Sequence, residues 1–500
     1  MSAWLRLNLA LLIARLVAWA CHLFRYPGSS LPGVIALKIC PDAVSLMAPA
    51  YEQVLAVTGT NGKTTTANLL AHFMLAAGCP VAHNALGANM LPGVATALFR
   101  DRQFRGRTHS RIALLEVDEG SVGKVFAAAR PDVVIVTNYF RDQLDRYWEL
   151  ERTTALLREA LANLPGATLI LNADDPLVVA VDQGQARVRY FGVLDDSPPD
   201  DAGHGPAAAG SSTADNGRPN SCETREGRFC QRCGTGLSYN YFHFGQLGDY
   251  FCSNCGFRRP PLDYAAWAIS EDELLHMSVS IHGTDDSSSD LGSLQQDRQR
   301  VDAEVVSHEL RLAAPLRGFY NVYNILAAIA AAQELGVSDE VIRSSIRSYK
   351  PATGRMEDFL FAGRRCTLTL IKNPVGANEV LKTIIQTTGT KALVIAINDL
   401  AADGRDVSWL WDAEFSCLAD PGISKVICSG LRAADFAVCL KYAGVPLERI
   451  ELAPERPVSL RRLADQQADK LYILATYTNL FDYARLLGRL GKVVERRAAH

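Results

Sequence analysis

The sequence has no excess of charge of either sign: 51 lysines and arginines stand against 54 aspartates and glutamates, a formal net charge of −3 over 500 residues. A chain so balanced gives no reason to expect a nucleic-acid partner, and any basic patch would have to be local. It has no internal repeat, which excludes a solenoid or propeller array. It also lacks an uninterrupted hydrophobic run of spanning length. The apolar residues 10–14 and 16–24 are interrupted by Arg15 and preceded by Arg6, and a charge within a span is costly. This favours a helix packed on the protein or lying at a membrane surface over a transmembrane anchor. A secretory signal is disfavoured by the nucleotide chemistry below, which places the chain in the cytoplasm, with peripheral contact at the inner face of the plasma membrane open to the N-terminal helix.

What is present is ample core-forming capacity, with 48% hydrophobic residues, in a chain long enough for two or more domains. After a lead-in over residues 1–50, "VLAVTGTNGKTTTANLLAHFMLAAG" reads as strand, glycine turn and helix. "RIALLEVDEGS", "PDVVIVTNYF" and "ATLILNADDP" supply further apolar strands that end in polar residues, the signature of an α/β parallel sheet. Residues 194–226 change to Asp, Pro, Gly, Ala and Ser and read as a disordered insertion. Residues 227–260 form a cysteine-rich module, and "GTDDSSSDLGSLQQDRQR" an extended loop. "NVYNILAAIAAAQELG" is a helix ending at Gly336. Four short apolar runs, "CTLTLI", "KALVIAI", "KVICSG" and "KLYILATY", alternate with helical segments over residues 351–500 and predict a second, Rossmann-like α/β domain after a central domain over 51–350.

"GTNGKTT", residues 59–65, sits between strand and helix, the context a phosphate loop requires. Glycines let backbone N–H groups turn toward phosphate oxygens, and the helix N-terminus adds positive potential. Gly59, Asn61, Gly62, Lys63, Thr64 and Thr65 are the candidate ATP-binding residues, with Lys63 reaching the β/γ-phosphates and Thr64 a ligand of Mg²⁺. The full phosphate-loop pattern wants glycine at position 57, which is Val57 here. Cys230-x2-Cys233 and Cys252-x2-Cys255 have the spacing of a zinc ribbon, four thiolates closing a structural Zn²⁺ shell. Cys222 is a bystander, and the remaining seven cysteines read as small core residues of a reducing compartment.

The stretch "TGTNGKTTT" resembles the Mur ligase and folylpolyglutamate synthase superfamily, and "LEVDEGS", "TNYFRDQLDRY", "LNADDP", "GFYNVYNILAA", "GRMEDF" and "KNPVG" follow in that superfamily's order. The resemblance implies a Mur ligase-like fold and an ATP-dependent activation of a carboxylate as an acyl phosphate that an amine then displaces. It implies that Glu116 binds Mg²⁺, Asn324 contacts adenine and Arg355 lies near the γ-phosphate. Gln143 replaces the metal-binding histidine usual in Mur ligases, which puts a second metal site in doubt, and the roughly fifty residues ahead of the phosphate loop are too few for a nucleotide-sugar domain. The cysteine module and "NDLAADGRDVSWLWD", residues 398–412, point within the superfamily to the synthetase subunits of lipid II isoglutaminyl synthase. That resemblance implies amidation of the D-glutamate α-carboxyl of lipid II with ammonia from a GatD-like glutaminase subunit. No cysteine sits in a nucleophile-elbow setting, in keeping with a separate glutaminase. The resemblance further implies that Asp406 completes the partner's Cys-His pair, at an interface anchored by Trp409 or Trp411. By residue type alone Asp406 is a helix cap, and Asp399, Asp403 and Asp412 are turn, cap or surface residues. The alternative is a folylpolyglutamate synthase-like or other Mur-like amino-acid ligase, for which neither the cysteine module nor the acidic stretch has a use.

Overall fold

The structure is a computed structural model that describes residues 2–24, 28–85, 88–103, 107–141, 150–184, 187–195, 227–282, 307–490 and 492–493. The insertion read over 194–226, the loop around residue 290, Cys222 and Gln143 lie wholly or almost wholly outside these residues.

The first half of the chain builds one sheet from β1 (Gln53–Thr58), β2 (Val81–His83), β3 (Ile112–Glu116), β4 (Val133–Val136), β5 (Thr168–Asn172), β6 (Arg187–Val193), β9 (Tyr264–Glu271), β10 (Leu275–His282) and β11 (Ser307–Ala314). The hairpin β7 (Ser238–Phe244) and β8 (Leu247–Phe251) stands apart. The sheet order is β11-β10-β9-β6-β5-β4-β1-β3-β2, parallel from β2 across to β9. β3 and β4 are buried along their whole length, as expected of strands covered on both faces. The sheet is mixed rather than wholly parallel: β10 runs antiparallel to both β9 and β11. Its "LHMSVSIH" buries nearly every position, and the short β9–β10 connection needs no crossover helix. β1 lies between β3 and β4, where the strand order reverses, so the loop after β1 opens at the switch point of the sheet.

Helix Lys63–Ala76 packs on one face beside helix Tyr320–Glu334, sharing a core that includes Leu69, Phe73, Ile325 and Ile329. The opposite face carries helices Ala3–Leu23, Leu31–Ile39 and Leu91–Asp101 over Val54, Ala56 and Leu115. The alanine-rich run read as a helix to Gly336 does end there, Gly336 taking φ +79°.

A second sheet comprises β12 (Glu357–Phe361), β13 (Arg364–Leu370), β14 (Lys391–Ala396), β15 (Ile423–Ser429), β16 (Ile450–Leu452), β17 (Lys470–Ala475) and β18 (Lys492–Val493), in the order β16-β15-β14-β17-β13-β12-β18. The four apolar runs of the sequence are its parallel centre, and β12 adds antiparallel to β13. Segment 372–376, at the carboxyl end of β13, faces the loop after β1, which brings the two sheets' ligand-binding ends together.

Candidate active site

The phosphate loop is a short turn between β1 and helix Lys63–Ala76. Val57, where the longer pattern has glycine, is a fully buried β1 residue in register with Glu116 of β3, so the turn begins only at Gly59. Gly59 (φ +122°) has no room for a side chain: a Cβ would lie 2.3 Å from Thr137 Oγ1. Gly62 (φ +89°) is pressed against Asn324, whose Oδ1 would be 2.0 Å from a Cβ. Both glycines thus combine a left-handed backbone with a close approach. The Asn324 side chain donates to Asn321 Oδ1 at 2.9 Å and stays buried beside the loop.

The loop is strapped from the end of β4. Asn138 Oδ1 accepts from the Asn61 amide at 2.9 Å, and Thr137 Oγ1 donates to the Asn61 carbonyl at 2.7 Å. The Thr60 amide donates to the Asn138 carbonyl at 2.8 Å, and the Thr60 hydroxyl and Phe140 backbone hold each other at 3.1 Å. From the second sheet, Asn373 Nδ2 donates to Asn61 Oδ1 at 3.0 Å, and Lys372 Nζ to the Thr60 carbonyl at 3.3 Å.

Lys63 is buried and donates to the Gly59 carbonyl, to the Thr60 carbonyl at 3.2 Å and to Glu119 Oε2 at 2.9 Å. Burial alone would lower its pKa, but Glu119, Asp118 and Glu116 together outweigh that and hold it above the ordinary lysine value. Glu119 is a site residue that the sequence reading missed. Glu116 ends β3, with its backbone clamped on both sides by the Asn84 amide at 2.8 Å. Burial raises its pKa, and Lys63, the Thr64 hydroxyl, Arg355 and Asn89 pull it back without cancelling the shift. Asn89 donates to Oε1 at 3.3 Å, while the buried Oε2 has no hydrogen-bond partner among the described residues. An unsatisfied carboxylate oxygen beside the Thr64 hydroxyl is a donor set that suits a hard divalent cation. Arg355, in the loop ahead of β12, is close enough to Glu116 to stabilise its charge, and Tyr477, which opens helix Tyr477–Leu490 after β17, senses both groups. The structure therefore gathers Gly59, Asn61, Gly62, Lys63, Thr64, Thr65, Glu116, Asn324 and Arg355 around one turn. To these it adds Asn84, Asn138, Glu119, Lys372 and Asn373, all polar residues at or just beyond the carboxyl ends of strands.

The cysteine module forms two matching turns. In each, the glycine after the second cysteine is left-handed (Gly234 φ +75°, Gly256 φ +74°) and its amide donates back to the first cysteine's carbonyl, at 2.9 Å for Cys230 and 3.1 Å for Cys252. The four Sγ atoms lie within 4.8 Å of one another, with 3.4 Å between Cys230 and Cys255 and 3.5 Å between Cys233 and Cys252. The 3.4 and 3.5 Å separations are too long for disulfides and lie a little under the ~3.8 Å edge of a tetrahedron with ~2.3 Å zinc–sulfur bonds. The hairpin that joins the turns plunges into the larger core. Phe244 and Leu247 are buried there, Phe244 lies 5.9 Å from Phe140 and from Tyr323, and Gln246 donates to the Tyr139 carbonyl. A Cβ on Gly245 would lie 2.8 Å from the Phe140 ring. Arg259 adds an ion pair to buried Asp174 at 2.8 Å, and Tyr323 donates to the same carboxylate at 2.8 Å.

The acidic stretch after β14 separates into four roles. Asp403 is buried and accepts from Thr478 through its amide (2.7 Å) and hydroxyl (2.6 Å), fixing the start of helix Tyr477–Leu490. Asp399 pairs with Arg432 at 3.6 Å and Asp412 with Arg141 at 3.4 Å, the latter tying this segment to the strap that follows β4. Asp406 is half-buried and, among the described residues, accepts a local bond from the Ser408 amide at 2.8 Å through one carboxylate oxygen. The expectation that either tryptophan could anchor an interface needs correction: Trp409 is buried in the core of the second sheet. The single turn of 3₁₀ helix Ser408–Trp411 sends the two rings apart, leaving Trp411 58% exposed against Tyr442 at 6.1 Å.

Comparison with known proteins agrees with this architecture. A profile described as Mur ligase middle domain matches residues 57–204, and one described as MurT ligase C-terminal matches residues 370–480. The MurT subunit of lipid II isoglutaminyl synthase (glutamine-hydrolyzing) from Streptococcus pneumoniae is 32% identical over 460 residues, covering 92% of each chain. That from Staphylococcus aureus strain N315 is 32% identical over 436 residues, covering 87% of this chain and 88% of its own. Among solved structures, a pseudomurein peptide ligase type C from Methanothermus fervidus superposes with a TM-score of 0.61 at 19% identity, over 87% of this chain and 78% of its own. The sequence likeness to the two MurT subunits along nearly the whole chain, on a Mur ligase-like α/β fold, shows that this chain belongs to the MurT family of Mur ligase-like proteins.

Proposed function

We propose that this chain is the synthetase subunit of a glutamine-dependent amidotransferase that converts the α-carboxyl of D-glutamate in the lipid II stem peptide into a carboxamide. The observation that carries the reading is the unsatisfied Glu116 Oε2 beside Thr64 and Lys63 at a strapped phosphate loop; the family supplies the substrate class. ATP would lie on the loop, its phosphates taking Lys63 Nζ from Glu119 and its adenine meeting Asn324. Mg²⁺ held by Thr64 and Glu116 would supply neutralisation of the phosphate charge. A D-glutamate carboxylate oxygen attacks the γ-phosphorus, the bond to the ADP oxygen breaks, and an acyl phosphate forms. Ammonia then adds to the acyl carbon, inorganic phosphate leaves, and the nitrogen loses a proton to give the amide. Lys63 and Arg355 stabilise charge on the transferred phosphoryl group.

Ammonia would come from a GatD-like glutaminase subunit. Asp406 would orient that partner's histidine and stabilise its cationic form, a role that needs a presented carboxylate and no metal. The exposed Trp411–Tyr442 pair on the same unit is a suitable anchor for such a partner. Zn²⁺ would be held by Cys230, Cys233, Cys252 and Cys255 as a structural ion. The test is amidation with Lys63 removed. Because Lys63→Ala alone strands Glu119 as a buried unpaired charge, the double variant Lys63→Ala/Glu119→Gln is the cleaner probe. It should remain folded and lose ATP-dependent amidation, and amidation at the wild-type rate would refute the reading.

A further inference from the structure

Helix Ala3–Leu23 has two unlike apolar faces. Leu7, Ala10, Leu11, Ala14 and Cys21 are buried, and the helix packs on helices Leu31–Ile39 and Leu91–Asp101. That bed is close-fitting: a Cβ on Gly33 would lie 1.9 Å from the Pro92 carbonyl oxygen. On the other side, Leu5, Leu9, Leu12, Leu16, Trp19 and Leu23 recur at intervals of three or four residues and are 39% to 66% exposed. A continuous apolar stripe about 30 Å long, on a helix already docked by its opposite face, needs a partner.

Charge identifies the partner. The first acidic residue of the chain is Asp42, whereas Arg6, Arg15, Arg25 and Lys38 precede it. At about 100° of rotation per residue, Arg6 and Arg15 fall on opposite flanks of the stripe. Trp4, also exposed, and Trp19 place indoles toward its two ends, the side chain that favours a membrane–water boundary. The 4-3-4-3-4 spacing would equally suit a coiled-coil seam with a second copy, but flanking positions that carry arginine and no acid would repel their own copies. They would attract anionic headgroups. Spanning would strip the buried face from its bed, so the helix lies flat.

We propose that the outer face of helix Ala3–Leu23 docks this protein on the surface of an anionic lipid bilayer, with Leu12, Leu16 and Trp19 at the acyl boundary. The docking stands on the helix alone and does not rest on the ligase reading. The experiment is flotation of the full-length protein with vesicles of phosphatidylcholine, with and without phosphatidylglycerol, comparing wild type, Leu12→Glu/Leu16→Glu and a control at the exposed Leu75, Leu75→Glu. Wild type and control should float with the anionic vesicles, less so in high salt, and the double variant should fall by about tenfold or more. Unchanged melting and ATP-induced thermal shift would show that the double variant is folded. Amidation of detergent-dispersed lipid II would report on the ligase reading separately. Absence of wild-type flotation, equal flotation of the double variant, or a wild-type dimer that the double variant converts to monomer would each overturn the proposal.

Discussion

Truncation of Phe244 tests how the cysteine module is coupled to the phosphate loop. The residue sits at the buried end of the β7–β8 hairpin, 5.9 Å from Phe140 and from Tyr323 between ring centres and 6.4 Å from Phe319. Phe140 adjoins the Thr60 hydroxyl, and Tyr323 precedes Asn324, so one ring props both walls of the loop. Phe244→Ala removes a buried aromatic from a packed site, for which a loss of about 3–5 kcal/mol of stability is expected. Phe242→Ala, on the same hairpin but 43% exposed, should cost under about 1 kcal/mol. If the ring positions the loop, Phe244→Ala should also weaken ATP binding in the still-folded protein by about tenfold, equivalent to about 1.4 kcal/mol. Chemical denaturation and calorimetric titration with ATP measure the two effects. A large stability loss with unchanged ATP affinity would refute the coupling, and a loss no larger than that of Phe242→Ala would refute the packing.

Three further outcomes are expected. Gly62→Ala must either displace Asn324 or give up the left-handed turn, and ATP affinity should fall by more than tenfold alongside a stability loss of about 1–3 kcal/mol. Purified protein should carry about one equivalent of zinc, and its removal by a strong chelator should lower stability by several kcal/mol, because the two cysteine turns lose the ion that holds them together; zinc below half an equivalent in protein prepared without chelator would count against the site. Asp406→Asn in the complex with a glutaminase partner should lose glutamine-dependent amidation and keep ammonium-dependent amidation. Equal loss with both donors would remove Asp406 from the glutaminase chemistry.

The parts of the site that were legible in the sequence are those written in consecutive residues. The strand, glycine turn and lysine of "VLAVTGTNGKTTTANLL" form their loop locally, and the two Cys-x2-Cys-Gly turns close on themselves. What required the fold was contact between distant segments. "EVDEGS" offers three carboxylates, and only the geometry shows that Glu119 neutralises Lys63 while Glu116 keeps an open oxygen. Asn84 clamps the backbone at the end of β3 and Asn138 that of the loop after β1, a role with no motif. Lys372 and Asn373 belong to "KNPVG", whose place across the phosphate loop depends on how the second sheet meets the first. β10 was missed although "LHMSVSIH" alternates apolar and polar residues strictly: it is a single short run just ahead of the polar stretch "GTDDSSSDLGSLQQDRQR", and burial of Ser278 and Ser280 on its second face appears only in the fold. The two tryptophans of "VSWLWD" look alike in sequence, and a single helical turn makes one core and the other surface.

In the function proposed above, this chain activates a carboxylate and amidates it with ammonia made elsewhere. The most direct measurement incubates the purified chain with ATP, Mg²⁺, lipid II and ammonium, without any glutaminase, and reads the stem peptide by tandem mass spectrometry. The expected product is a carboxamide at the α position of D-glutamate, formed with one ADP per amide. An unmodified stem peptide, or one to which an amino acid has been joined instead, would contradict it.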